Sequence, residues 1–534
     1  MTFTVSAKYA HMVWLTRHMA VNISDDLAQA ARRDPTGIAL IEPRTDREVT
    51  WEEFDHWADL VAQALLGRGI LAGQRVALVM ANGIDFAVAY YGILRGGLIA
   101  VPINPRSTPR EISRIVEACS PKMVVADSNS ITQVREAETG NSQVVVHRAA
   151  AGEGELRFAA LLETASAEPP HSPPDPESTA VVLFTSGATG LPRGVMLSHR
   201  ALSANLDQLL KISNPPISQQ SDVVLGLLPM FHIYGLNCVL SMSVRTGATV
   251  VLIDGFNAGE VLEQIRQYEI TYVPVAPPVI SAWAGLDSLA ESLASVRIIV
   301  SGASALDPDL AAGFFNLSGH PVEQGYGLTE TSPVLTTTIG DGRPVGQSPA
   351  SGSVGRPLAG VEIQLRDLMG KPAVVGDPAE IWVRGANLFS GYWPNGVDGP
   401  NQDGWWATGD IGIQDEQGNL SLVDRIRETI NISGFNVYPS EIEEALAEAP
   451  GVENIAVIGI PDERTGEAAV AFVVAADPEA DSDELAAAVR ELAMNRLARF
   501  KVPSRILVVA ALPHSPTGKV AKGRLRALAR TSLS

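Results

Sequence analysis

Ten consecutive residues carry the most legible chemistry in this chain: Thr185-Ser186-Gly187-Ala188-Thr189-Gly190-Leu191-Pro192-Arg193-Gly194. They follow Ala180-Val181-Val182-Leu183-Phe184, an apolar, β-branched run that reads as a buried strand. Hydroxyl side chains and glycines at a strand end let O–H and backbone N–H groups converge on phosphate oxygens. Arg193 adds a fixed positive charge. The run is not a Walker sequence, because no Lys-Ser or Lys-Thr follows a G-x-x-x-x-G spacing anywhere in the chain. By itself it also reads as a flexible surface turn, so the rest of the chain must decide.

The elements around it alternate. Thr50-Trp51-Glu52-Glu53 predicts a capping box opening a helix with Phe54, Trp57, Val61 and Leu65 on one side, ended by Gly67 and Gly69. Arg75–Met80 reads as a strand, Asp85–Leu94 as a helix, Leu98–Val101 as a strand, Pro109–Ala118 as a helix and Lys122–Ala126 as extended. This alternation predicts a layered α/β domain. A proline-rich connector spans 168–176, residues 350–423 look more β-like, and a compact α+β unit follows Arg425. In that unit Ser440-Glu441-Ile442-Glu443 reads as a second capping box, opening a helix through Glu448.

A chain of 534 residues is too long for one core, so two or three domains are expected. The formal net charge of -20 argues against nucleic-acid binding by phosphate neutralisation and against a polybasic membrane patch. The basic tail residues Lys519, Lys522, Arg524, Arg526 and Arg530 read as one face of a terminal helix. Cys119 and Cys238 cannot build a disulfide framework or a four-cysteine zinc site, and they fit a reducing, cytoplasmic setting. No apolar run approaches the roughly 20 residues of a bilayer span, which leaves at most peripheral membrane association. Lys8, His11 and Arg17 interrupt the N-terminal stretch, which does not read as a signal peptide.

Six more segments follow the first in order: Pro229-Met230-Phe231-His232, Ser301-Gly302-Ala303, Gly325-Tyr326-Gly327-Leu328-Thr329-Glu330, Thr408-Gly409-Asp410, Asp424-Arg425 and Pro516-Thr517-Gly518-Lys519. Together the seven resemble the acyl-adenylate-forming superfamily of acyl-CoA synthetases, luciferases and peptide-synthetase adenylation domains. The resemblance runs from about residue 25 to 527. Residues 1–18 show no helix or strand pattern, so Met19 is expected to begin the functional enzyme. The fold implied is α/β: a large multi-layer adenylating domain over residues 1–426, with α/β subdomains and a β-rich one, and a small mobile α+β domain over 427–534.

The chemistry implied is carboxylate activation. Attack on the α-phosphate of ATP gives an acyl-AMP anhydride, and the site must offset negative charge on three phosphates and the acid. The resemblance makes Thr185, Ser186, Gly187, Ala188, Thr189, Gly190, Gly302, Ala303, Gly325 and Gly327 part of the nucleotide site. Glu330 would hold Mg²⁺, Thr329 would bond a phosphate oxygen and Tyr326 would stack on adenine. Asp410 would grip both ribose hydroxyls with help from Arg425. Lys519 would stabilise charge during adenylation, and His232 would position the acid.

Two departures stand out. Position 193 is Arg where the family usually has Lys, and position 427 is Arg where many relatives place a Lys or Asp pivot. In the subfamily that the segments 231–237, 274–278 and 325–335 resemble, the coumarate–CoA ligases, Ile233, Tyr234, Asn237, Val275, Gly302, Ala303, Gly325, Gly327, Pro333, Val334 and Leu335 line the acid pocket. Val300 stands where such ligases place a lysine for a ring hydroxyl, and valine cannot donate a hydrogen bond. Ile432–Pro439 also resembles bacterial fatty-acid–CoA ligases. The reading therefore favours a medium- or long-chain fatty acid, with arylpropenoic acids second. Ser433, Gly434 and Phe435 would contact CoA after a domain rotation that replaces Lys519 at the site. Transfer to a carrier protein, a homodimer and a non-catalytic nucleotide-binding protein remain as alternatives. Gly285-Leu286-Asp287-Ser288-Leu289 resembles a phosphopantetheine attachment site but falls inside the adenylating domain, and is read as coincidence.

Overall fold

The structure, a computed structural model, describes residues 22–532 apart from 166–174, 187–191, 218–219, 287–288, 305, 345, 368, 426–427, 429, 433–434, 463–464, 498, 500 and 515–518. The chain divides into two compact units. One comprises residues up to Glu362 with Arg384–Trp406; the other comprises Ile363–Val383 with Ala407 onward. Strands ahead of the 426/427 position thus group with the C-terminal residues.

The first unit has the expected α/β layering. Its seven-stranded sheet runs Leu156–Arg157, Gln143–Val146, Met123–Ala126, Arg75–Val79, Ile99–Ile103, Thr179–Ser186, Pro192–Ser198. The pairs are parallel except the last, an antiparallel hairpin with Thr185 opposite Arg193 and Ser186 opposite Pro192. The run Thr185–Gly194 of the sequence therefore begins and ends on paired strands, and residues 187–191 lie outside the described residues. A second sheet carries Val322–Gly327, Ile298–Ser301, Tyr272–Val275, Val223–Gly226, Thr249–Leu252 and Ile38–Glu42 as parallel neighbours. Such buried parallel strands read as continuous apolar runs because helices cover both faces.

The helix Trp51–Gly67 starts where predicted. The Thr50 side chain accepts from Glu53 N, and the Glu53 carboxylate accepts from Thr50 N. Phe54, Val61 and Leu65 are buried. The box expected at Ser440 is absent. Pro439 occupies the first helical position of Pro439–Ala447, so Ser440 falls inside the helix and its hydroxyl donates to Val423 O at 2.8 Å. Glu443 accepts instead from Val457 N.

The second unit contains most of the neighbouring strands Val361–Arg366, Ala379–Gly385, Trp406–Gln414 and Leu420–Arg425, together with a five-stranded sheet built on the long hairpin Val452–Asp462 and Gly466–Ala475. The terminal helix Lys522–Ser532 exists, and Lys519 precedes it. Lys522 is largely buried against Glu428 (3.2 Å) and Glu443 (3.0 Å), while Leu525 and Ala529 are fully buried. Both cysteines are free and buried, and burial pushes the Cys119 thiol up to about 12. Among the described residues no helix is long and apolar enough to cross a membrane.

His199, first in the helix His199–Leu210, is buried, and its Nδ1 accepts from Ile23 N at 3.3 Å. Burial pushes its imidazole down to about 4. Below the ordinary value near 6.5 the unfolded chain takes up a proton that the folded chain refuses. This residue's contribution is therefore intact above about pH 6.5 and falls progressively toward pH 4, by up to about 3 kcal/mol. Urea midpoints at pH 7, 5.5 and 4.5 should show the native chain losing more stability in acid than H199Q; equal slopes would refute the assignment.

Candidate active site

The turn holding Glu330 is tightly held by its neighbours. Strand Val322–Gly327 ends at Gly327, where a Cβ would fall onto the Pro333 carbonyl oxygen, so the chain can double back only with glycine. Residues Thr329–Thr331 form a single 3-10 turn. Leu328 N donates to Thr331 Oγ1 (2.9 Å) and to Pro333 O (3.1 Å). Three asparagines brace the return strand. Asn237 donates to Ser332 O (2.7 Å), Asn387 to Thr331 O (2.8 Å) and Asn205 to Val334 O (2.8 Å), while Asn205 Oδ1 accepts from Val334 N. Thr329 is half-buried; Glu330 is 8% exposed.

The segment Phe389–Trp393 lies between Glu330 and Arg193 and bonds to both neighbourhoods. Phe389 N donates to Glu330 O (2.9 Å), Ser390 N to Met196 O (2.9 Å) and Trp393 N to Gly194 O (2.7 Å). The Tyr392 hydroxyl donates to Glu330 Oε1 at 2.7 Å. The Arg193 guanidinium carbon stands 3.6 Å from the Tyr392 ring centroid, and its Nη2 is 2.6 Å from Asp398. Sequence reasoning missed Tyr392, Asp398 and the three bracing roles; Gly391-Tyr392-Trp393 between turn residues was the available signal.

The turn before His232 is pinned by Asn82, also missed. Its amide donates to Gly226 O and Leu228 O, and its oxygen accepts from Met230 N at 2.9 Å. His232 is half-buried with its ring 4.8 Å from Phe231, and Ile233 is buried. Tyr234–Ser241 is a π-helix, a geometry enriched at functional sites. The Tyr234 ring lies so close to Gly302 that a Cβ there would be 2.6 Å from Cε1. Ala303 takes a left-handed conformation (φ 70°), and Gly325 is half-buried.

The sheet separates the proposed pocket residues. Val275 is fully buried in the apolar cluster with Ile280, Trp283 and Ile299. Val300, 7% exposed, alternates to the other face from Ile299 and stands beside Pro274 and Glu323 in register. Asn237 is fully buried as a brace; Leu335 and Pro333 are buried and Val334 is half-buried. Tyr326 is 7% exposed on its strand.

In the second unit Asp410 pairs across strands with Arg425. Asp410 is buried, and its N–H donates to Thr408 Oγ1 (3.1 Å), which donates to Ile381 O. Phe435 lies in the strand Phe435–Val437 opposite Ile432, and Lys519 is exposed just before the terminal helix. Gly187, Ala188, Thr189, Gly190, Arg427, Ser433 and Gly434 lie outside the described residues, as do 1–21 and 287–288.

This order of sites matches one family. The sequence matches the AMP-binding enzyme family over residues 27–393 and the AMP-binding enzyme C-terminal domain over residues 441–519. The chain belongs to the AMP-binding enzyme family. It is 32% identical over 501 residues to 4-coumarate–CoA ligase 3 of Oryza sativa subsp. japonica, covering 91% of this chain and 88% of that one. It is also 32% identical to a long-chain-fatty-acid–CoA ligase of Yersinia pestis, covering 86% of each. The crystal structure of ATP-bound MatB from Rhodopseudomonas palustris superposes with a TM-score of 0.85 at 28% identity, covering 97% of this chain and 100% of that one. The resemblance read from the seven segments is thereby borne out, and this AMP-binding enzyme is an AMP-forming acid–thiol ligase.

The residues present fit a magnesium ion. Mg²⁺ is commonly held by one or two carboxylates plus substrate phosphates. Among the described residues Glu330 has no ion pair with Lys, Arg or His, and no group of three His, Cys, Asp or Glu side chains could hold a metal alone. Glu330, anchored on one oxygen by Tyr392, would supply the carboxylate and the nucleotide would supply the rest.

Proposed function

We propose that this enzyme activates a medium- or long-chain fatty acid. An acid oxygen attacks the α-phosphorus of ATP, the bond to the β-phosphate breaks, and pyrophosphate leaves. The CoA thiolate then attacks the acyl carbon of the acyl-AMP, forming the thioester and expelling AMP. Mg²⁺, when bound, neutralises phosphate charge. Arg193, Thr185, Ser186 and Thr329 bind the phosphates, Tyr326 holds adenine, and Asp410 with Arg425 grips the ribose. His232 orients the acid. Lys519 acts in the first step; a rotation at Arg427 then presents Ser433, Gly434 and Phe435 to CoA.

The observation that carries the substrate reading is Val300. It offers only a methyl-bearing wall, and Ile233, Val334 and Leu335 are apolar as well. Such a pocket discriminates by only about 1–3 kcal/mol per methylene, so a range of chain lengths should be accepted. One observation favours the aromatic alternative: among the described residues the buried Tyr234 hydroxyl has no hydrogen-bond partner. A phenolic acid could satisfy it.

Pyrophosphate release over octanoate, palmitate and coumarate, with and without CoA, tests the choice. Octanoate and palmitate should exceed coumarate in kcat/KM; a coumarate value well above both would install the aromatic reading. V300K should lower aliphatic kcat/KM roughly tenfold or more by placing a charge against the alkyl chain. Glu323, beside Val300 but already paired with Arg343, only partly offsets that charge. Activity on coumarate should fall less or rise.

A further inference from the structure

Arg193 departs from the lysine that the resembled family usually has, and the surroundings supply a physical reason. A guanidinium is planar and lies flat on an aromatic face; an ammonium can be attracted to the ring but has no plane to stack. Arg193 stands 3.6 Å from the centroid of the Tyr392 ring. Its carboxylate partner, Asp398, is 70% exposed, and exposed ion pairs orient a side chain weakly. The ring therefore does more than Asp398 to fix the direction of the guanidinium.

The same tyrosine reaches the other way. Its hydroxyl donates to Glu330 Oε1 at 2.7 Å, a charge-assisted hydrogen bond to a buried carboxylate. The tyrosine itself is held on both sides. Phe389 packs edge-on at 5.1 Å from its ring, and Tyr392 N donates to Val397 O while Gly396 N donates to Tyr392 O. Gly391, at φ 100°, lets the chain turn against Gly396, where a Cβ would collide with backbone. Main-chain bonds then tie this segment to Glu330 on one flank and to the Arg193 strand on the other.

We propose that Tyr392 is a positioning residue that locks the Glu330 carboxylate and the Arg193 guanidinium in one fixed relation, so that the two act on the phosphate end of the nucleotide as a unit. The inference rests on the reading of Glu330 and Arg193 given above. Holding two charged groups in place before the nucleotide arrives lowers the reorganisation needed in the reaction.

The test combines Y392F, Y392L, E330Q and R193A. Three readouts apply: acid-dependent ATP–pyrophosphate exchange against Mg²⁺ concentration, calorimetric titration of ATP with Mg²⁺, and melting temperature. Y392F keeps the ring and loses the bond to Glu330. It should raise the half-saturating Mg²⁺ concentration roughly tenfold, the loss of one hydrogen bond to a charged group, with little change in melting temperature. That shift should vanish in the E330Q background. Y392L should weaken ATP binding further, and the extra loss should disappear in R193A. If E330Q leaves exchange and its Mg²⁺ dependence unchanged, the Glu330 reading and this inference fall together. If E330Q abolishes exchange while Y392F matches the native enzyme, or if Y392F costs as much with E330Q as without it, the inference alone is overturned. Should Y392L fail to fold, the Y392F and E330Q comparison decides.

Discussion

K519A should lose roughly 10²–10³ in the rate of acyl-AMP formation, the scale of removing one preorganised donor from a developing charge. Thioester formation from supplied acyl-AMP should fall far less. The expectation rests on the role proposed above for Lys519, and the local setting is compatible with it. The helix Lys522–Ser532 is fixed by the buried Leu525 and Ala529 and by the pairing of Lys522 with Glu428 and Glu443. Lys519, three residues earlier, is exposed at the head of that fixed helix, which suits a group that must reach a ligand. K522A is the control. It breaks a largely buried pairing, so it should lower the melting temperature while both half-reactions keep their ratio. Equal losses in both half-reactions of a folded K519A would remove Lys519 from the first step.

E330Q should be nearly as damaging, reducing acid-dependent pyrophosphate exchange by roughly 10²-fold through lost electrostatic stabilisation of the phosphates. The substitution is close to isosteric, and the side-chain oxygen of glutamine can still accept from Tyr392. Bracing by Asn205, Asn237 and Asn387 acts on neighbouring backbone and is unaffected. The melting temperature should therefore change little while Mg²⁺ dependence collapses. A large stability loss with normal Mg²⁺ dependence would make Glu330 a structural carboxylate.

Much of the fold was written locally. Thr50 and Glu53 start their helix because the two side chains satisfy each other's backbone N–H, an interaction spanning three residues. The apolar runs at 75–80 and 180–184 became buried strands because parallel sheets covered on both faces demand such runs. The order of seven short segments was enough to place the chain in its family, since each combines residue types that a phosphate and carboxylate chemistry requires. Where the local signal was ambiguous it misled. Ser440 and Glu443 have capping-box spacing, but Pro439 is also compatible with the first helical position, and it set the start two residues earlier.

Tertiary structure decided the rest. The alternation of a strand says that Ile299 and Val300 face opposite ways, but only the sheet order reveals that Ile299 joins Val275 in the apolar core while Val300 does not. Asn237 reads as a pocket residue in sequence; only the structure shows that its fully buried amide nitrogen donates to the backbone at Leu202 and Ser332. Tyr392 lies 62 positions from Glu330, and no periodicity or turn signal spans that separation. A hydrogen bond between distant segments leaves no local trace in composition, because its energy depends on a geometry that exists only once both segments have been placed by the core between them.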